Sequence, residues 1–124
     1  MGRTNTIEHQ GKQIVYLDFT GVTDPGAAIA AIAEAKAWFA RQPKRQELLT
    51  LTNVSGSHFD THVVKAMREL AEHNRPYVRG GAVVGLSGLM RVVYTTLLHL
   101  TGRNIKAFDS VEEAKDYLAT LPGG

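Results

Sequence analysis

Leu48-Leu49-Thr50-Leu51-Thr52-Asn53-Val54-Ser55-Gly56-Ser57-His58-Phe59-Asp60-Thr61 is the stretch whose reading decides the fold. Leu49 and Leu51 alternate with Thr50 and Thr52, the period-two pattern of a strand over residues 48–54. Ser55-Gly56-Ser57 is turn chemistry. A helix is expected from around Asp60, where Val63, Val64, Met67, Leu70 and Ala71 recur at helical spacing up to Asn74. Strand, polar turn and helix follow one another within one short stretch, which is half of a βαβ unit.

The same order recurs on both sides. Upstream, Gln13 to Thr20 alternates, with Val15, Leu17 and Phe19 opposed to Ile14, Tyr16, Asp18 and Thr20. Asp24 then caps a helix with Pro25 at its first position, reaching about Gln42. Downstream, Tyr77 to Val84 forms a third strand whose Gly80-Gly81 predicts a bulge or a close backbone approach. Ser87-Gly88 opens the next helical pattern. Asn104 to Phe108 is a short fourth strand, and Ser110 with Glu113 forms a capping box for the last helix. Residues 5–9, turned at Gly11-Lys12, add a hairpin strand. The expected fold is therefore α/β, with about four mainly parallel strands and an N-terminal antiparallel hairpin. A strand covered by helices on both sides reads as a continuous apolar run. Alternation in the first two parallel strands instead predicts one drier and one wetter face, with helices mostly on one side.

The chain of 124 residues is expected to be one domain, with residues 120–124 as a frayed tail. Cysteine is absent, which excludes disulfide and thiolate chemistry. No secretory signal pattern precedes the first strand, and the apolar run from Leu86 to Leu100 is too short and too interrupted to span a bilayer. A cytoplasmic protein is expected. Net charge is +2 without a continuous basic face carrying interleaved aromatics, so nucleic acid is not an expected partner. In the segment after Ser87-Gly88, Arg91, Thr95 and His99 form one polar stripe, leaving an apolar arc of about 180°. The excess apolar surface packs either within the molecule or in a homodimer through the helix containing Met90, Tyr94 and Leu98.

Ligands of parallel α/β sheets bind beyond the carboxyl ends of the strands. That edge collects Asn53, Ser55, Ser57, Asp60 and Thr61 from one turn, and Ser87, Gly88 and Arg91 from the next. Gly85-Leu86-Ser87-Gly88 with Arg91 suits a phosphate or carboxylate at a helix N-terminus, or a plain Ser cap. Neither the phosphate-loop nor the dinucleotide glycine pattern is complete. Gly85-Leu86-Ser87-Gly88-Leu89 misses the nucleophile elbow by one position. Ser55 and Ser57 beside His58 suggest a hydrolase only if the fold supplies a third group to orient the imidazole. His58 and His62 stand four apart with Asp60 between them, yet His58 falls before the helix, so no metal is expected. No cofactor is expected either. Asp18 is either a surface carboxylate or a member of the strand-end cluster.

The Pro25-Gly26 helix start, the strand ending in Asn53-Val54-Ser55-Gly56, and the run from Thr101-Gly102-Arg103-Asn104 through Phe108-Asp109-Ser110-Val111-Glu112-Glu113-Ala114 to Leu118 resemble SpoIIAA-like, or STAS-like, domains. The name STAS denotes sulfate transporters and anti-sigma-factor antagonists. The resemblance implies a SpoIIAA-like βα superhelix and a non-enzymatic regulatory module that binds a protein partner. In the antagonist branch an Asp-x-Ser strand end leads to a phosphorylated serine opening a helix. Asn53 stands where that aspartate would be and Thr61 where the phosphorylated residue would be, one position short. The resemblance thus marks Thr61 as the candidate phosphorylation site. A small anionic or amphipathic ligand at the Gly85–Gly88 turn is the alternative function, and the Ser/His hydrolase a third.

Overall fold

The computed structural model describes residues 2–87, 91–92 and 105–123. Gly88, Met90, Tyr94 and Leu98, and with them the expected dimer helix, lie outside the described residues. The elements are β1 (Thr4–His9), β2 (Lys12–Asp18), α1 (Pro25–Ala40), β3 (Leu48–Asn53), α2 (Thr61–Asn74), β4 (Val78–Val84), β5 (Ile105–Phe108) and α3 (Val111–Ala119). They build one five-stranded sheet in sequence order. β1 and β2 form the antiparallel hairpin, and β2 to β5 run parallel.

Local chemistry sets the helix starts. The Asp24 carboxylate accepts from the Ala27 N–H at 2.8 Å, and the Asp60 carboxylate accepts from the Val63 N–H at 2.8 Å. Ser110 accepts from the Glu113 N–H at 3.2 Å while its hydroxyl donates to the Glu113 carboxylate at 3.1 Å.

Both sheet faces are covered. α1 and α2 share one face, where Val15, Leu17 and Phe19 pack with Ile32, Ala35, Phe39, Val63 and Leu70. α3 covers the other, packing Ala114 and Leu118 on Ile14, Leu49, Leu51, Ala82 and Val84. Most described helices do share one face, but the wetter face expected from alternation is absent. Leu49 and Leu51 are fully buried under α3, and Thr50 on the opposite face is only 8% exposed. Thr50 fits because Gly81 beside it has no side chain: a Cβ there would lie 2.7 Å from the Thr50 hydroxyl. The glycine pair therefore marks a close approach, and the β3–β4 register shifts one step earlier, between Leu48 and Leu49.

Two contacts involve the C-terminal residues. Leu121 packs on the α3-side core and Lys12 donates to the Gly123 carbonyl at 3.0 Å. On α3, the Tyr117 ring lies 5.2 Å from Phe108 with the Lys106 ammonium 5.1 Å from its centroid. Burial pushes the Tyr117 phenol above its ordinary 10.0. The unfolded chain then loses this proton first as pH rises, so the folded state should lose stability from about pH 10 upward. Tyr117→Phe should abolish that share of the alkaline loss in paired urea titrations, and parallel curves would show that Tyr117 does not contribute.

Candidate functional site: the rim at the carboxyl ends of the strands

Three turns meet beyond the ends of β2, β3 and β4, and backbone bonds lock them together. The Gly21 N–H donates to the Ser55 carbonyl at 2.9 Å, and the His58 N–H to the Val22 carbonyl at 3.0 Å. The Val54 N–H donates to the Val84 carbonyl at 2.8 Å. Gly85, at φ +95°, lies so close to Ser55 that a Cβ on it would fall 2.4 Å from the Ser55 nitrogen. Residues from three crossovers thus share one border.

The side chains divide into ties and free groups. Asn53 is only 6% exposed. Its amide donates to the Tyr16 hydroxyl at 3.0 Å and its carbonyl oxygen accepts from the Ser55 N–H at 3.0 Å. Ser57 donates to the Val54 carbonyl at 2.6 Å, and Asp60 caps α2. Asp18 accepts from both the Thr20 N–H, at 3.0 Å, and the Thr20 hydroxyl, at 2.5 Å, closing a turn at the rim. Thr61, the first residue of α2, and Ser87 are exposed, and Ser55 is half-buried.

Arg91 has helical backbone, with its N–H 3.4 Å from the Ser87 carbonyl. Its guanidinium bonds the Asp109 carboxylate in the β5–α3 turn. An anion at the Ser87 turn would have to compete with that carboxylate. The rim also carries Asp18, Asp24 and Asp60, with the Arg3 guanidinium donating to the Asp18 carbonyl at 3.1 Å, so carboxylates outnumber cations among its described residues.

No hydrogen bond joins His58 to a serine among the described residues, and Ser57 is committed to a backbone carbonyl. A nucleophile, base and orienting group are not assembled there. Among the described residues no group of His, Asp and Glu is placed to hold a metal ion.

Sequence reasoning did not find a cavity of about 480 Å³ between α2 and the β3–β4 face. Thr52, Phe59, Met67, Val83, Leu86 and Ile105 contribute to its wall, and Ser57, His58 and Ser87 lie on the rim side. Its sequence signal was the threonine side of β3, which looked like a solvent face.

Beyond the rim, no helix among the described residues is long and apolar enough to cross a membrane.

The mixed sheet with its N-terminal hairpin is a SpoIIAA-like fold. The chain is similar to an uncharacterised protein of the DUF3478 family with a SpoIIAA-like fold from Shewanella loihica, at TM-score 0.68 and 14% identity, over 93% of this chain and 91% of that one. It is also similar to an anti-sigma factor antagonist from Mycobacterium paratuberculosis, at TM-score 0.59 and 19% identity, over 94% and 92% of the two chains. No protein-family model matches the sequence, and no curated protein does.

Proposed function

We propose that the protein is a non-enzymatic regulatory module that binds a protein partner through the strand-end rim. The observation that carries this reading is the locked border itself. Three turns are fixed by backbone bonds and by the Gly85–Ser55 contact, while Thr61 and Ser87 stay exposed on it. A rigid frame with exposed polar groups suits recognition, because little ordering remains to be done on binding. The fold shared with an anti-sigma factor antagonist supports the same reading.

Thr61 is the residue through which such a surface would be switched. Its hydroxyl opens α2 beside Asp60, whose carboxylate already occupies the Val63 N–H. A phosphate there adds about −1.5 to −2 charge next to an existing carboxylate. The rim's acidity would rise sharply, and a partner docked on the unmodified surface would be released.

A photo-crosslinking residue placed at Thr61 or Ser87 should capture a discrete partner, and the same residue at Lys36 on α1 should not. With that partner purified, Thr61→Glu should weaken binding about tenfold or more. Capture only from Lys36, or affinity indifferent to Thr61→Glu and to substitutions at Ser87, would reject the rim.

The cavity favours a second reading, a small amphipathic ligand held between α2 and the sheet with its polar end toward Ser57, His58 and Ser87. The Arg91–Asp109 pair argues against an anionic head at the helix start. Saturable one-to-one binding of a neutral amphipathic dye such as Nile red, lost in Met67→Trp, would support this reading; unsaturable binding would count against it.

A further inference from the structure

Among the described residues, the pole opposite the rim carries the densest positive charge. Arg41, Lys44 and Arg45 follow α1, Arg75 follows α2, and Arg79 is the second residue of β4. Backbone bonds hold these segments side by side: the Gln46 N–H donates to the Pro76 carbonyl at 3.0 Å and the Leu48 N–H to the Tyr77 carbonyl at 3.0 Å. Two carboxylates share the corner. Glu72 pairs with Arg75 at 3.5 Å, with both side chains more than half exposed, and Glu47 precedes β3. Arg41, Lys44, Arg45 and Arg79 are exposed and have no carboxylate within ion-pair distance among the described residues. Trp38 closes α1 at the same corner, half-buried against Phe39, and its carbonyl accepts from the Arg41 N–H. An indole beside cations is the pairing favoured at a bilayer's headgroup layer.

We infer that this corner docks the protein reversibly on an anionic lipid surface. The cations are long, exposed and drawn from three segments, which suits a fluid plane that responds to charge density. A nucleic acid would require a track of stacking rings, and the corner offers one partly buried indole. The charge is also polarised along the strands. Asp18, Asp24, Asp60 and Asp109 lie at the far end and outnumber its described cations, Arg3 and Arg91, so a negative plane favours this corner over the rim. Docked this way, the rim faces away from the lipid. The docking itself does not depend on what the rim binds.

The test is sedimentation of the full chain with vesicles of phosphatidylcholine alone and with about one third phosphatidylglycerol, in roughly 0.1 M salt. Binding is expected only to the anionic vesicles, and raising salt to about 0.5 M should release the protein. Lys44→Glu with Arg45→Glu should weaken binding about tenfold or more. Lys36→Glu with Lys65→Glu makes the same change in net charge on exposed helix positions and should leave binding within about twofold. Both pairs lie on the surface, and unchanged circular dichroism and melting would confirm that each variant folds. Equal losses in the two pairs would reduce the effect to net charge and overturn the assignment. So would binding to polyglutamate or duplex DNA with none to the vesicles.

Discussion

Gly85→Ala should destabilise the fold by about 3 kcal/mol or more, the largest effect expected of a single methyl group added at any described glycine. Two penalties coincide. At φ +95° a side chain meets its own backbone, and the added Cβ falls 2.4 Å from the Ser55 nitrogen and 2.6 Å from its Cα. The obstructing atoms are backbone, so no rotamer change relieves the overlap. Ser55 cannot retreat either, because its N–H is held by Asn53 at 3.0 Å and the adjacent Val54 N–H by the Val84 carbonyl at 2.8 Å. The β4 end must part from the β3 turn. Gly11→Ala is the matched control, with φ +79° and nothing within 4 Å of the added atom. It carries the backbone penalty alone, about 1 kcal/mol. Urea unfolding of the two variants should therefore differ by about 2 kcal/mol. Equal losses would mean that the Gly85–Ser55 approach does not hold the border together. If the approach matters as described, Gly85→Ala should also abolish crosslinking from Ser87 while the protein remains folded.

The features legible in the chain were those whose causes are local. Asp24 and Ser110 each cap a helix through an N–H three residues on, so sequence spacing alone predicts the bond. Gly80-Gly81 announced a close approach, which the Thr50 hydroxyl makes. The coverage of both sheet faces was not legible, because alternation records polarity and threonine is ambiguous. Thr50 and Thr52 read as a wet face, yet Thr50 is buried where Gly81 leaves room, and Thr52 lines a cavity. The burial of Thr50 depends on a residue 31 positions away in the chain that only pairing of β3 with β4 brings alongside. The Arg91–Asp109 ion pair was not legible for the same reason, because only the fold brings Asp109 to Arg91 across 18 residues of chain. The rim was predictable as a place, because strand ends and polar turns define it. Which of its side chains are spent inside the protein was not.

Asn53 is the sharpest case, and its substitution has the second of the large effects. Asn53→Ala should cost about 2–3 kcal/mol, more than a surface polar residue would. The loss leaves two groups without partners: the Ser55 N–H and the Tyr16 hydroxyl, each bonded to Asn53 at 3.0 Å. Asn53 is 6% exposed and Tyr16 and Ser55 are half-buried, so bulk water only partly replaces the lost bonds. Tyr16→Phe removes the hydroxyl but orphans the Asn53 amide, so it should cost about 1–2 kcal/mol alone. In the double variant that second loss should largely vanish, giving a coupling of about 1 kcal/mol in a thermodynamic cycle. Independent losses would show that the Asn53–Tyr16 bond contributes nothing.

Asn53→Asp then separates a tie from a contact. A carboxylate still accepts the Ser55 N–H, and the Tyr16 hydroxyl can reverse its role and donate to the second oxygen. Much of the stability lost in the alanine variant should return, reduced by the desolvation of the added charge. If Asn53 acts only by holding Ser55, partner capture at Thr61 and Ser87 should return with it. Restored stability without restored capture would instead place the Asn53 amide in direct contact with the partner.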